Sequence, residues 1–136
     1  MKKRLALLLA VATLTTCVGL VALCSCTASW SGTMMAESEL PNSWAVSAQS
    51  INGNREREVT MTEESLGTFT VVSSNSSGEV NLKISQDQGS DGKVEQTIDL
   101  TSKYADLIEM SAFQAGKVKI EIQCESVKDL EFLANW

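Results

Sequence analysis

The strongest constraint on the fold is a strict alternation of side chains near the C-terminus. From Lys117 to Glu125, even-numbered positions carry apolar side chains or cysteine, and odd-numbered positions carry charged or amide side chains. Successive side chains of a β-strand point to opposite faces, so this is the pattern of a strand with one buried and one solvated face. A helix would place its apolar residues three or four positions apart. The chain is therefore predicted to be rich in strands.

The same period of two recurs from residue 43 onward, interrupted by turn-forming stretches. The segments predicted to be strands are Trp44–Ala48, Val59–Met61, Thr68–Val71, Val80–Ile84, Val94–Leu100, Lys117–Glu125 and Leu130–Trp136. Asn52-Gly53-Asn54 and Asn75-Ser76-Ser77-Gly78 are predicted to be turns, and Tyr104–Ala115 is compatible with a short edge strand or a single helical turn. About seven or eight strands predict an all-β fold, an antiparallel β-sandwich of the immunoglobulin-like or jelly-roll-like type.

Residues 43–136 are long enough to form this sandwich as one domain. The predicted core consists of inward-facing side chains from these segments: Trp44, Val46, Phe69, Val71, Leu82, Ile84, Ile98, Ile120, Ile122, Phe132 and Trp136. Cys124 is in register with Ile120 and Ile122, so it is predicted to be a small buried core residue with a raised pKa.

The chain contains no histidine, and this excludes several kinds of chemistry. Neither a Ser-His-Asp triad nor a Cys-His pair can be built, and Cys124 has no imidazole to activate it. A zinc site of paired cysteine and histidine is excluded as well. No metal and no cofactor is expected.

The N-terminus has the pattern of an export signal. Lys2-Lys3-Arg4 precedes an apolar run from Leu5 to Leu23, as a basic segment precedes the apolar segment of a secretory signal. The run is longer than the ~7–15 residues usual for a signal and approaches the ~18 of a membrane helix, so a retained anchor is the alternative. Both alternatives place everything after residue 26 outside the cytoplasm.

The end of the run, Leu23-Cys24-Ser25-Cys26, resembles the lipobox of bacterial lipoproteins. The resemblance implies cleavage between Ser25 and Cys26, and lipid attachment at Cys26. Residues 1–25 would then be the signal peptide, and residues 26–42 a lipidated tether. Cleavage before Cys24 fits less well because Leu23 is bulky, and cleavage before Cys17 would cut into the apolar run.

If Cys26 is an ordinary cysteine, cleavage near Ala28 or Ala36 would instead release a freely secreted protein. Small and hydroxyl side chains dominate residues 27–42, and the only proline, Pro41, lies near the end of this segment, so the sequence predicts a flexible linker. Such a linker would span roughly 20–25 Å and let the domain float off the membrane.

The net charge argues against two kinds of partner. Removal of Lys2, Lys3 and Arg4 leaves eight basic residues against 17 acidic ones, a net charge of about −9. Nucleic-acid binding needs a basic surface, so a nucleic-acid partner is excluded. The acidic charge also argues against electrostatic docking on anionic lipid headgroups.

Three further motifs resemble the small β-sandwich modules that recur in exported bacterial lipoproteins. They are Ser65–Val71, Ser77–Val80 and Ala115–Ile120. The resemblance implies a fold and a location; it implies no chemistry.

Two acidic stretches are candidates for chemistry. Asp87–Gly92 partly matches a calcium loop, but Gly89 and Ile98 occupy ligand positions, and Asp-Gly between alternating segments favours a hairpin. Glu63-Glu64, in a predicted turn before Gly67, and Glu56-Arg57-Glu58 are expected to be exposed, since neighbouring carboxylates on a strand point apart.

Together these observations predict a non-enzymatic binding or interaction module. It would be anchored in the cell membrane or outer membrane through acylated Cys26 and would face outside, with an envelope protein or polysaccharide as partner. A carbohydrate-binding module is the alternative, with Trp30 and Tyr104 as the available ring platforms, because Trp44 and Trp136 are in phase with the core. A small hydrolase using two carboxylates is the third hypothesis.

Overall fold

The computed structural model describes residues 30–136, so the predicted signal peptide and the lipid-attachment and cleavage residues, Ser25 and Cys26, lie outside the described part. The described residues form one antiparallel sheet of eight strands and a short helix. The elements are β1 (Ser31–Thr33), β2 (Ala36–Leu40), β3 (Ser43–Met61), α1 (Glu63–Thr68), β4 (Thr70–Ser74), β5 (Ser77–Asp87), β6 (Lys93–Asp99), β7 (Lys103–Leu107) and β8 (Gly116–Asn135). The predicted all-β sandwich is confirmed.

Two long strands, β3 and β8, run through both layers of the sandwich. They pair from Ser43–Asn135 at one end to Met61–Gly116 at the other. The other edge of β8 pairs with β5 in its first part and with β4 in its last part. The first layer therefore contains β2, β4, β7 and the adjoining parts of β3 and β8, and the second layer contains β5, β6 and the remaining parts.

The sheet bends along a line that we call the fold line. Each segment of the chain that crosses this line contains a residue with a positive φ angle. These residues are Met34, Gly53, Gly78, Ser102, Ser126 and Asp129. The β3–β8 pairing shifts register between Ile51 and Gly53, and the β5–β8 pairing shifts between Ser77 and Glu79. Bulges of this kind increase local twist and bend, so they form the boundary between the two layers.

The positions of β3 that point inward change near this boundary from even to odd numbers. Trp44 and Val46, at even positions, face the core before the bulge, whereas Arg55 and Arg57, at odd positions, pair with core residues of β8 after it. The odd-numbered Ile51 is already buried before the register shift, so the inward positions of β3 change between Ala48 and Ile51. As a result, two arginines point between the layers. The extra residue of the bulge belongs to β8, which advances from Val127 to Cys124 while β3 advances from Ile51 to Gly53. The turn predicted at residues 52–54 is wrong, because this segment lies within the continuous strand β3.

The buried core agrees with the sequence prediction, except that two predicted core residues lie at its margin. The predicted core side chains are buried, except for Ile98 and Trp136, which are partly buried against the core. Cys124 is buried as predicted, with 5% of its surface exposed. Four further side chains, which the alternation of the sequence does not single out, also belong to the core: Leu66 of α1, and Ile108, Met110 and Phe113 of the segment before β8.

The acidic pair Glu63-Glu64 begins a helix and does not lie in a turn. The Thr62 side chain accepts a hydrogen bond from the Ser65 backbone N–H, and the Ser65 hydroxyl accepts one from the Thr62 N–H. This reciprocal capping satisfies donors that a helix start leaves unpaired, and the two carboxylates suit the positive end of the helix dipole. Both glutamates are exposed, as expected.

The prediction of a flexible tether over residues 26–42 is wrong for residues 31–40. β1 pairs with residues 50–52 of β3, and β2 forms a hairpin with the start of β3. The polar composition concealed this, because the alternating side chains of β2 include Glu37 and Glu39 on the inward face, opposite Val46 and Trp44. Only residues 27–29 separate Cys26 from the described structure.

Three other predicted elements can be placed. Leu130–Trp136, predicted as a separate strand, is the last part of β8 together with the residue that follows it. Of the two alternatives for Tyr104–Ala115, the edge strand is correct, since β7 pairs only with β4 in the described sheet. Asp87–Gly92 joins β5 to β6 as an antiparallel hairpin, as predicted.

Candidate functional site

The outward face of the second layer is covered by ion pairs. Lys83–Glu95, Lys117–Glu58 and Lys119–Glu56 are diagonal neighbours on adjacent strands, with N···O distances of 3.5, 3.6 and 3.5 Å. Lys93 and Glu95 lie two residues apart on β6, with an N···O distance of 2.9 Å. Such exposed pairs contribute about 0–1 kcal/mol each. Their arrangement describes a solvated face on which lysines and carboxylates neutralise one another.

The outward face of the first layer has a different composition. Its residues in register across the five strands are Leu40, Ser43, Asn135, Thr70 and Leu107; Ser38, Ala45, Leu133, Val72 and Ala105; and Ala36, Ser47, Glu131, Ser74 and Lys103. We call this surface the neutral face, since Glu131 and Lys103 are its only charged members. Leu40 and Leu107, at one end, are 46% and 53% exposed.

Four charged side chains lie between the layers on the β2 side: Glu37, Glu39, Arg55 and Arg57. Arg55 donates from Nε to Glu37 Oε1 and from Nη2 to Glu39 Oε1, both at 3.0 Å. The indole Nε1–H of Trp44 donates to the same Glu37 oxygen at 2.9 Å. Arg57 donates to the backbone oxygens of Ser43 and Leu40 at 2.8 and 2.6 Å, so it holds the β2–β3 turn.

Burial shifts the proton affinities in this network. Desolvation raises the pKa of Glu37 above its ordinary value, and the hydrogen bonds from Trp44 and Arg55 oppose that shift. Desolvation also lowers the pKa of Arg57. The Glu37 and Arg55 side chains are only 12% and 10% exposed, so the pair lies inside the fold and offers no open carboxylate to a substrate.

Trp136 lines a small groove at the end of the first layer. The Arg57 guanidinium lies 5.2 Å from the centroid of its ring, and Phe69 packs edge-on at 6.2 Å. The groove has a volume of about 280 Å³ and is lined also by Asn42, Thr62 and Glu64. Within residues 30–136, the Trp136 Nε1–H is buried without a hydrogen-bond acceptor.

The candidate ring platforms for a sugar are not exposed. Tyr104 lies on the inward face opposite Ser73 and is partly buried, and Trp30 packs partly against the core. Trp44 is fully buried, and Arg57 covers the Trp136 ring. No aromatic side chain between residues 30 and 136 is more than partly exposed.

The acidic candidates remain dispersed. In the β5–β6 hairpin, Asp87 accepts a hydrogen bond from the Gly89 backbone N–H at 2.9 Å, which is a turn contact. Glu56 and Glu58 point outward, each beside a lysine. Across the described residues no three cysteine or acidic side chains cluster in a way that could hold a metal ion.

Cys124 is a core residue without a catalytic partner. Burial raises the pKa of its thiol to about 12. The thiolate, which is the nucleophilic form, is therefore scarce at neutral pH. Cys124 is the free cysteine within the described part of the chain.

Comparisons with known proteins add one structural likeness. No family model matches the chain, and a search of curated proteins finds no match. Among solved structures, TmCBM61 in complex with β-1,4-galactotriose is similar, with 14% sequence identity and a TM-score of 0.33. The match covers 74% of this chain and 66% of that chain, just under two thirds of its length. No helix in residues 30–136 is long and apolar enough to span a membrane.

Proposed function

We propose that this chain is an exported, lipid-anchored β-sandwich that acts as a non-enzymatic binding module and holds a protein partner of the cell envelope on its neutral face. The anchor is the acylated Cys26, and the domain faces outside the cytoplasm, on the cell membrane or the outer membrane. The observation that carries the proposal is the difference between the two outward faces of the sandwich.

The anchor is supported by the order of features at the N-terminus. Lys2-Lys3-Arg4, the apolar run and Leu23-Cys24-Ser25-Cys26 occur in the order of a lipoprotein signal. Acyl chains contribute ~0.8 kcal/mol per buried methylene, so two or more chains hold a domain at a membrane without a spanning helix.

The choice of a protein partner follows from the chemistry of the neutral face. Burying a surface is costly when its charged groups must lose their water. The neutral face contains almost no charged groups, so its burial costs little. Leu133 and Val72 are half-buried near its middle, and Leu40 and Leu107 are exposed at one end. Ala36, Ser38 and Ala45 of this face are buried. The remaining aliphatic and hydroxyl side chains suit contact with another protein, whereas a sugar favours an exposed ring.

The anchor predicts a specific mature mass. We expect the membrane-extracted chain to begin at Cys26 and to carry the additional mass of acyl chains. Cys26→Ser should remove the acyl mass and release the domain from the membrane fraction, and Cys24→Ser is the matched control that should leave both unchanged. Recovery of the unmodified precursor from wild-type cells would contradict the anchor.

The neutral face can be tested with a photo-crosslinking amino acid in cells. Placed at position 107 or 105, it should give one discrete protein adduct, and placed at exposed position 97 on the charged face it should give none. Val72→Lys puts a charge in the middle of the neutral face and should abolish the adduct from position 107. The partner identified by mass should then bind the purified domain, and the Val72→Lys domain at least tenfold more weakly.

Two results would overturn the protein-partner proposal. Equal adducts from positions 107 and 97 would show that the faces do not differ in binding. A carbohydrate that quenches the fluorescence of Trp136 would instead favour the groove beside Asn42 and Thr62 and the carbohydrate-binding alternative.

A further inference from the structure

The connection between the proposed anchor and the folded domain is very short. Four Cα–Cα steps separate Cys26 from Trp30, and at most ~3.6 Å per step gives a reach of ~14 Å. A domain of roughly 100 residues has a radius of gyration of about 13 Å, so its diameter exceeds this reach about twofold. The anchored domain could not turn freely above the bilayer, and the part around Trp30 would stay next to the lipid.

The chain enters the sandwich at the fold line, where β1 meets β3. Ser31 pairs with Asn52, and the Thr33 and Ser50 hydroxyl groups lie 2.7 Å apart. Asn52 also accepts a hydrogen bond from the Ser126 backbone N–H at 2.9 Å. β1 is therefore attached to the sheet by its pairing and by side-chain contacts, and it does not extend the tether.

The exposed surface at this point has the composition that a bilayer surface tolerates. We define the β1 corner as Ser31, Gly32, Thr33, Met34, Asn52 and Lys128, all of them exposed. Met34 is 81% exposed, the largest exposure among the exposed large apolar side chains of the described chain. The members of the corner other than Met34 line an open depression of about 530 Å³.

The charge distribution favours the same orientation. Lys128 is the only charged residue of the β1 corner, although the chain as a whole is acidic. The acidic residues along the fold line, Glu79, Glu125 and Asp129, belong to β5 and β8, and β8 also carries Lys128. None of them belongs to β1 or to the part of β3 that pairs with it. An orientation that turned the outward face of the second layer to the bilayer would bring Glu56, Glu58 and Glu95 toward the headgroups, where anionic lipids repel carboxylates.

We propose that the β1 corner rests on the bilayer surface, with Met34 inserted at headgroup depth, and that this contact fixes the orientation of the domain. The inference rests on the proposed acylation of Cys26. The neutral face then stands beside the membrane, where a partner can approach it, and the β5–β6 hairpin points away from the lipid.

The test uses the acylated full-length chain, extracted from membranes and returned to phosphatidylethanolamine vesicles. Met34→Cys is labelled with a dye whose emission depends on polarity, and Ser90→Cys in the distant β5–β6 hairpin is the matched control. Acylation occupies the Cys26 thiol, and the buried Cys124 thiol, with a pKa of about 12, stays unlabelled in the folded state. We expect a blue shift at position 34 and loss of most of its intensity with spin-labelled lipids, and neither effect at position 90.

The outcomes separate the two proposals. If the acylated chain floats with the vesicles but the dye at position 34 reports water, the orientation is wrong and the anchor stands. If both positions report lipid, the domain has no fixed orientation, and the inference is again overturned. If the chain carries no acyl mass and does not float, the anchor and the orientation fail together.

Discussion

Replacing Arg55 with alanine is expected to destabilise the fold by about 3–5 kcal/mol at pH 7, because it leaves a buried carboxylate without its cation. Arg55 contacts both Glu37 and Glu39, and its side chain is 10% exposed. Without it, Glu37 keeps the hydrogen bond from Trp44, but no arginine contacts its charge directly. Urea denaturation followed by tryptophan fluorescence measures the loss.

The same substitution should make stability depend on pH in a defined direction. Desolvation already raises the pKa of Glu37 above 4.5, and Arg55 is among the groups that lower it, so Arg55→Ala should raise it further. Between 4.5 and this raised value, the folded state binds more protons than the unfolded state, and stability falls as pH rises. The deficit of Arg55→Ala should therefore be smaller at pH 5 than at pH 7.

Two variants control for simple loss of packing. Glu37→Gln in the Arg55→Ala background removes the unpaired carboxylate and should recover part of the stability at pH 7 while removing much of the pH dependence. Lys119→Ala breaks only an exposed pair and should cost less than about 1 kcal/mol. A deficit for Arg55→Ala below about 1 kcal/mol, or one equal at both pH values, would contradict this account of the network.

Gly78→Ala is expected to destabilise the protein by about 3 kcal/mol or more, because two separate constraints act on this residue. Gly78 has a φ angle of +87°, and an added Cβ would lie 2.3 Å from the backbone oxygen of Ser126. Neither strand can move alone, since β5 and β8 are paired on both sides of the bulge. Thermal and urea unfolding of the purified domain measure the effect.

Gly67→Ala is the matched control for this substitution. Gly67 lies in α1, and outside its chain neighbours and the backbone of its own helix no described atom lies within 4 Å of an added Cβ. Alanine is favoured over glycine in a helix by roughly 0.5–1 kcal/mol, so this variant should be as stable as the wild type or slightly more so. If both glycine variants were equally stable, the fold line would not depend on close approach at Gly78.

The strands could be predicted from the sequence where one face is apolar and the other polar. The period of two in β5 and β8 depends only on burial of one face, and the core residues Leu82, Ile120 and Phe132 follow from it. The continuity of β3 could not be predicted. Asn52-Gly53-Asn54 has the composition of a hairpin turn, and only pairing with β8 on both sides keeps it within one strand.

The charged network could not be predicted for a related reason. Glu37 and Glu39 make β2 look solvated, because their partner Arg55 lies 18 and 16 residues away along the chain. Arg55 faces inward only because the inward positions of β3 change from even to odd numbers between Ala48 and Ile51. Inward-pointing charges on an edge strand also discourage pairing with another chain. The neutral face was missed because its strands are not consecutive, and its composition becomes visible only once the register aligns them.

The passage of β3 and β8 through both layers has a consequence for how the molecule comes apart. Because β3 and β8 contribute to both layers, one layer cannot unfold and leave all strands of the other layer paired. Partly unfolded forms with unpaired strand edges, which proteases cleave and which aggregate, should therefore be rare. Unfolding should proceed as a single cooperative event.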